Sequence, residues 1–236
     1  PFQVIVRLLS PVDNRSLSEW SFDLPQKSPP AAWQANEVII EQLALDIPAD
    51  LEAGAYQFNI SLIGADSSEL WPISLDNDIN RLDRVAVGGL IVPLPGEPQN
   101  YQPLETVFAG QISLSGFSLN EPLSGQPLQL DLFWEALEQI DEEYTVFVHL
   151  LSADDQLLAS HDSRPDNGRF PTSLWLPGIT IPDRHTIPLP DNLPAGDYKL
   201  RVGLYQAETG ERLIISTGVD ERQEDSSLLL AELNIP

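Results

Sequence analysis

The feature that most constrains this chain is an internal repeat. Displaced against itself by 142 residues, the step from Val4 to Val146, the sequence matches itself. Val4-Ile5-Val6-Arg7-Leu8-Leu9-Ser10 falls on Val146-Phe147-Val148-His149-Leu150-Leu151-Ser152. In the same register Trp33 falls on Trp175 and Ile39 on Ile181. Pro48 through Tyr56 then falls on Pro190 through Tyr198, and Glu69, Ile73 and Ser74 on Glu211, Ile215 and Ser216. One register kept over roughly 70 residues, through Trp, Pro and Gly, marks a duplicated domain. The copies differ in extent. The second has roughly 40 residues ahead of Val146 that continue its strand pattern, among them Phe108 to Leu119 and Leu128 to Trp134. The first has only Pro1, Phe2 and Gln3 ahead of Val4. The expected organisation is therefore a first copy over 1–96 that lacks its N-terminal strands, a linker over 97–104, and a second copy over 105–236. Pro93, Pro95, Pro98 and Pro103 mark the boundary, because proline blocks both helix and ladder pairing.

The pattern within each copy is that of strands. Leu128, Leu130, Leu132 and Trp134 alternate with Gln129, Asp131 and Glu135, and Tyr198, Leu200 and Val202 alternate with Lys199 and Arg201. The 21 prolines are scattered, which leaves little room for long helices. Turn-forming clusters such as Ser152-Ala-Asp-Asp155, Asp166-Asn-Gly168 and Glu208-Thr-Gly210 divide the runs at short spacing. The fold class expected is all-β, a tandem of two related sandwiches. For the complete copy the spacing predicts strands near 108–115, 127–135, 144–152, 156–162, 183–189, 197–206, 211–216 and 228–235. Leu51-x-x-Gly54-x-Tyr56 and Leu193-x-x-Gly196-x-Tyr198 each lead into a long strand. They resemble the tyrosine corner of immunoglobulin-like and fibronectin-type sandwiches, in which the hydroxyl bonds the backbone a few residues upstream. With no cysteine in the chain, an antibody-type domain is excluded, as are disulfides and thiolate metal sites.

Charge removes further classes. The formal net charge of −24 repels polyphosphate, which excludes nucleic acid as a partner and disfavours anionic membrane surfaces. No apolar run approaches the length of a membrane-spanning helix, so no membrane insertion by this stretch is expected. The chain contains no Met, and it is read as a segment of a longer protein.

Catalytic patterns are missing. His149, His161 and His185 lie opposite Arg7, Glu19 and Leu43 in the repeat register, so the duplicated fold does not require them. Neither a Gly-x-Ser-x-Gly elbow, a helical His pair nor a phosphate loop occurs, and no cofactor is expected. Glycan binding is the sharper alternative. It calls for flat rings with nearby amide and guanidinium groups. Trp175, Arg169 and Asn167 share the long segment Asp162 to Gly178, and Trp33 is the first copy's counterpart of Trp175. Against this, the recurrence of the Trp in a diverged copy favours a ring folded back to plug one end of the sandwich. Asp76-Asn77-Asp78-Ile79-Asn80-Arg81-Leu82-Asp83 begins like a calcium loop but has Arg81 where glycine is needed and Val87 where a closing Glu is needed. Asp141-Glu142-Glu143 reads as a solvated turn.

A family resemblance is carried by several pieces of the second copy. They are Gly116-Phe117 with Leu119, Gly125-x-Pro127-Leu128, Phe133-Trp134, Tyr144-Thr-Val-Phe147-Val-His149-Leu150, Pro171-Thr172 and Trp175-x-Pro177-Gly178. Leu193-Pro-Ala-Gly196-x-Tyr198, Gly203-Leu-Tyr205 and Thr209-Gly210-x-Arg212-Leu213 complete the set. Over about 105–235 these resemble β-sandwich accessory domains attached to bacterial polytopic membrane glycosyltransferases of the lipid-linked-sugar class. The resemblance implies a non-catalytic, extracytoplasmic accessory region of a membrane-anchored parent protein, binding or presenting a glycan or a protein. A purely structural spacer is the alternative, and a glycan-processing enzyme ranks third.

Overall fold

In the computed structural model, residues 2–24, 34, 38, 40, 42–64, 70–71, 73, 82–94, 100–121, 126–190, 193–216, 223–224 and 226–235 are described. Among the described residues, every regular element longer than a turn is a strand. The chain divides into two compact units, Pro1–Glu52 with Tyr56–Val92, and Ala53–Ala55 with Pro93–Pro236.

The first unit contains one five-stranded sheet. Its strands are β1 (Phe2–Leu9), β2 (Ser16–Leu24), β3 (Gly54–Gly64), β4 (Leu70–Trp71) and β5 (Val85–Val92). The order is β2-β1-β3-β4, with β5 also paired to β3. Val4, Val6 and Leu8 project from one face of β1 and are buried. Trp20, opposite Val6, packs on this face against Phe58 with ring centroids 6.5 Å apart. Ile5, Arg7 and Leu9 project from the other face.

The second unit is a sandwich of a five-stranded and a four-stranded sheet. Its strands are β6 (Gln102–Phe108), β7 (Ile112–Leu119), β8 (Leu128–Ala136), β9 (Tyr144–Ser152), β10 (Leu157–Ser163), β11 (Thr180–Ile187), β12 (Gly196–Gln206), β13 (Gln223–Glu224) and β14 (Ser227–Ile235). The orders are β10-β9-β12-β14-β13 and β11-β8-β7-β6. Alternation decides what faces inward. Leu128, Leu130, Leu132 and Trp134 of β8 are buried against Val146, Val148 and Leu150 of β9 and Leu200, Val202 and Leu204 of β12. Each such leucine contributes roughly 2 kcal/mol by leaving water.

The strand pairings of the two units share one offset. Val4 pairs with Leu62 and Leu8 with Phe58, while Val146 pairs with Leu204 and Leu150 with Leu200, the same register after the 142-residue step. Both tyrosine hydroxyls donate to a carbonyl four residues upstream, Tyr56 to Glu52 at 2.6 Å and Tyr198 to Pro194 at 2.5 Å.

Three expectations need adjustment. The strand placed at 108–115 is two strands, β6 and β7, joined by a tight turn. Ala109 and Gly110 there take positive φ (49° and 74°), and Gln111 N–H donates to the Phe108 carbonyl. β6 begins at Gln102, inside the stretch read as linker; Pro103 is tolerated because β6 is an edge strand. The stretch 211–216 makes isolated bridges instead of a strand. Arg212 bridges to Tyr205 and Ile215 to Phe108, so it ties the two sheets together along one side of the sandwich.

Candidate functional site

Two sets of polar side chains stand out, one buried in the second unit and one on the outer face of each five-stranded sheet. The buried set lies on β11. In its inward row, Ile181-x-Asp183-x-His185-x-Ile187, two positions are polar, and Asp183 and His185 are both 0% exposed. Asp183 Oδ2 accepts from Trp134 Nε1–H at 3.0 Å and from His185 Nε2–H at 2.8 Å, and Oδ1 accepts the backbone N–H of Asp166 at 2.7 Å. Three donors on one carboxylate satisfy a charge that would otherwise be costly in this interior.

In the neutral tautomer of His185 that gives Nε2–H to Asp183, Nδ1 is left as an acceptor. The partner of that nitrogen is His161 Nδ1, 2.8 Å away on β10, which carries the hydrogen in that tautomer. β10 and β11 are edge strands of different sheets, so the chain Trp134–Asp183–His185–His161 fastens one open side of the sandwich.

His161 arrives there because of a one-residue difference between the first hairpins of the two units. Ser10 N–H donates to the Arg15 carbonyl, but Ser152 N–H donates to the Gln156 carbonyl, so the second hairpin is a residue shorter. A slip of one residue turns a strand over. Glu19 pairs with Arg7 on the outer face, whereas His161 pairs with Val148 on the inner face.

Burial pulls His161 below the usual imidazole value, reinforced by His185 and opposed by Asp183 and Asp162. Burial lowers His149 as well, opposed by Asp162 and reinforced by Arg212. Both folded-state values lie under the unfolded one. Their contribution to stability is therefore full above about pH 6.5 and is lost as pH falls through the folded values. The unfolding midpoint of the second unit is expected to fall between pH 7 and pH 5, and the fall should shrink in the double variant His149→Gln/His161→Gln. A midpoint that stays level over that interval in the parent chain would contradict this.

The outer face of the first unit forms an open trough of about 800 Å³. Its rows follow from the ladder: Ile5 lies between Ser21 and Ser61, Arg7 between Glu19 and Asn59, and Leu9 between Ser16 and Gln57. Arg7 Nε donates to Glu19 Oε2 at 2.7 Å. Arg84, also lining the trough, makes a two-point contact with Asp83 at 3.1 and 3.2 Å. Asn59 Oδ1 is buried and has no hydrogen-bond partner.

In the second unit the equivalent face is filled by its own side chains. The 142-residue step turns Ile5 into Phe147, Arg7 into His149, Asn59 into Arg201 and Ser61 into Gly203. The Phe147 ring lies across Gly203, where a Cβ would come within 2.4 Å of the ring and 2.9 Å of the Ser226 carbonyl oxygen. The Arg212 guanidinium covers the ring at 4.5 Å from its centroid, leaving Phe147 1% exposed. Arg201 is buried and reaches Ser227. His149 stands beside Phe147, with its Nε2 3.8 Å from Asp162 Oδ1. Burial raises the Tyr205 hydroxyl, with the Asp162 carboxylate adding to the rise.

The expected ligand residues do not converge. Trp175 is 0% exposed and donates its Nε1–H to the Phe170 carbonyl at 2.8 Å. A ring without an exposed face offers nothing to stack on, so Trp175 is corrected from a stacking platform to a core residue. Arg169 pairs with the buried carboxylate of Asp166 at 2.6 Å. Asn167 alone of the three is exposed, on a turn, Pro165–Gly168, in which Asp166 and Asn167 both take positive φ (48° and 56°). The rest of this long segment is held by buried Thr172, which receives the Tyr144 N–H and donates to the Glu142 carbonyl. Trp33 lies outside the described residues, as do positions 76–81 of the calcium-like stretch. Asp83, at its end, is paired with Arg84. Among the described residues no group of three or more His, Asp or Glu side chains is arranged to hold a metal ion, and no helix is long and apolar enough to cross a membrane.

Sequence reasoning passed over Asp183, His185 and the Arg7–Glu19–Asn59 row. The signal for the first two was present: an Ile-x-Asp-x-His-x-Ile run puts two polar residues on an inward face, and such residues need partners.

No protein-family model and no curated protein matches this sequence. Among solved structures, the chain is similar to the crystal structure of the C-terminal domain of Wzt, with 16% sequence identity and a TM-score of 0.41, over 59% of this chain and 82% of that one. A likeness this loose transfers neither residues nor activity.

Proposed function

We propose that this chain is a non-catalytic glycan-binding module, and that its ligand occupies the trough on the outer face of the first unit's sheet. The observation that carries the reading is the composition of that trough. It combines apolar side chains, Ile63 and the half-exposed Leu70, with planar polar groups on Arg7, Glu19 and Asn59, in a space of about 800 Å³. Sugars present just these needs, an apolar C–H face and a rim of hydroxyls that planar polar groups fix. The resemblance of residues 105–235 to accessory domains of lipid-linked-sugar glycosyltransferases supports a place outside the cytoplasm, as part of a larger membrane-anchored protein. For the second unit, the structural-spacer reading is favoured by Phe147, which with Arg212 occupies the equivalent face.

Calorimetric titration of the whole chain with a panel of bacterial surface and storage oligosaccharides tests the proposal. At least one should bind saturably, and Arg7→Ala should weaken that binding about tenfold, the worth of one charge-assisted hydrogen-bonding group. Failure of the entire panel to bind, or full binding by Arg7→Ala, would remove the reading.

A further inference from the structure

We infer that the contact between His161 and His185 is an acid-opened latch: it keeps its hydrogen bond when the pair takes up one proton and loses it when the pair takes up a second. The latch belongs to the second unit, and it does not depend on the glycan reading of the first unit's trough.

Geometry carries it. The two Nδ1 atoms face each other at 2.8 Å, with the rings crossed at 88°. A gap of that length holds one hydrogen, so one nitrogen donates and the other accepts. In the neutral pair His161 donates, and His185, whose Nε2 gives its hydrogen to Asp183 Oδ2 at 2.8 Å, accepts. The first proton has a place to go. His161 is half-buried, and its Nε2 has no hydrogen-bond partner among the described residues. A proton there leaves the Nδ1–H of His161 where it was, and the bond to His185 becomes charge-assisted. A second proton has only Nδ1 of His185 left. It would set N–H against N–H and cation against cation at the same 2.8 Å, at a ring that is 0% exposed.

The groups around the pair can balance one added charge but not two. Asp183 on β11 is the inward carboxylate, and it already accepts from Trp134 of β8, from His185 and from the backbone N–H of Asp166. The Asp166 carboxylate, in the turn Pro165–Gly168, is matched to Arg169 at 2.6 Å. Asp162 of β10 follows His161 and so projects from the opposite face, where it lies 3.8 Å from His149 of β9. Arg184, beside His185 on β11, is likewise outward and paired with Asp131 of β8 at 3.0 Å. In the ladders Val148 of β9 lies opposite His161 and Leu130 of β8 opposite His185, so neither brings a charge. Burial, reinforced by His185, holds His161 below the usual imidazole value against the pull of Asp183 and Asp162. β10 and β11 are both sheet edges, so loss of the latch loosens them against each other while their ladders to β9 and β8 remain.

NMR of the whole chain from about pH 8 down to about pH 4 tests this, with imidazole nitrogen shifts counting the protons taken up and amide exchange reporting on the strands. The first protonation, at His161 Nε2, should leave the protection factors of the β10 and β11 amides unchanged. The second should lower them about tenfold, the worth of one hydrogen bond, and leave the β12 amides protected. His161→Gln separates the latch from a general effect of acid. Its side-chain amide can offer N–H to neutral His185 and, turned over, C=O to protonated His185, so β10 and β11 should stay protected at the pH where the parent opens. Protection lost at the first protonation, or retained after both, would overturn the inference. So would an opening as large in His161→Gln as in the parent, or exchange that rises across β12 together with the edges, which marks unfolding of the whole unit.

Discussion

Asp183→Ala is expected to destabilise the second unit by about 3–5 kcal/mol, the cost of leaving three buried donors without their acceptor at about 1–3 kcal/mol each before the surroundings relax. The magnitude follows from what is left behind. Trp134 Nε1–H, His185 Nε2–H and the Asp166 N–H all lose their acceptor, at sites from which water is excluded. His185 also loses the group that sets its tautomer, so its contact with His161 across the two sheet edges is no longer defined. Urea unfolding followed by tryptophan fluorescence measures the effect, because Trp134 reports from within the cluster. A loss under about 1 kcal/mol would mean that the carboxylate is not holding these donors, and that the edges of the sandwich are joined by other means.

Trp175→Ala is expected to cost a similar amount, about 3–5 kcal/mol, for a different reason. The indole is fully buried beside Phe170, itself 0% exposed, and its removal leaves a cavity that the surrounding strands cannot collapse into. Its Nε1–H bond to the Phe170 carbonyl is lost as well. The same urea experiment measures it. A variant with near-parental stability would show that the ring is dispensable to packing, and it would restore Trp175 as a ligand residue. The expected result has a practical corollary: loss of binding in Trp175→Ala would report unfolding, so Arg7 is the informative position.

Both predictions concern residues that local pattern treated unequally. Trp175 was visible because it recurs opposite Trp33, and recurrence in a diverged copy is what a packing role produces. Asp183 and His185 were passed over because the first copy has no matching pair to draw attention to them. The outer trough was hidden for another reason. Arg7, Glu19 and Asn59 are far apart in sequence, and nothing local says that β1 pairs with β2 on one side and with β3 on the other.

The sequence by itself determined the all-β class, the strand faces of β8, β9 and β12, and the two tyrosine corners. Each of these rests on local information, a period of two or a motif repeated at one offset, which needs no knowledge of what packs against what. Tertiary structure decided the rest. β6 could form through Pro103 only because it lies at a sheet edge, where a missing N–H is harmless. His161 could meet His185 only because the Ser152–Gln156 hairpin is one residue shorter than its counterpart, which turned β10 over. In an ungapped comparison His161 stands opposite the outward Glu19, and a single deleted residue reverses that face. Strand register is set by how turns close and sheets meet, and those are contacts between residues far apart in the chain.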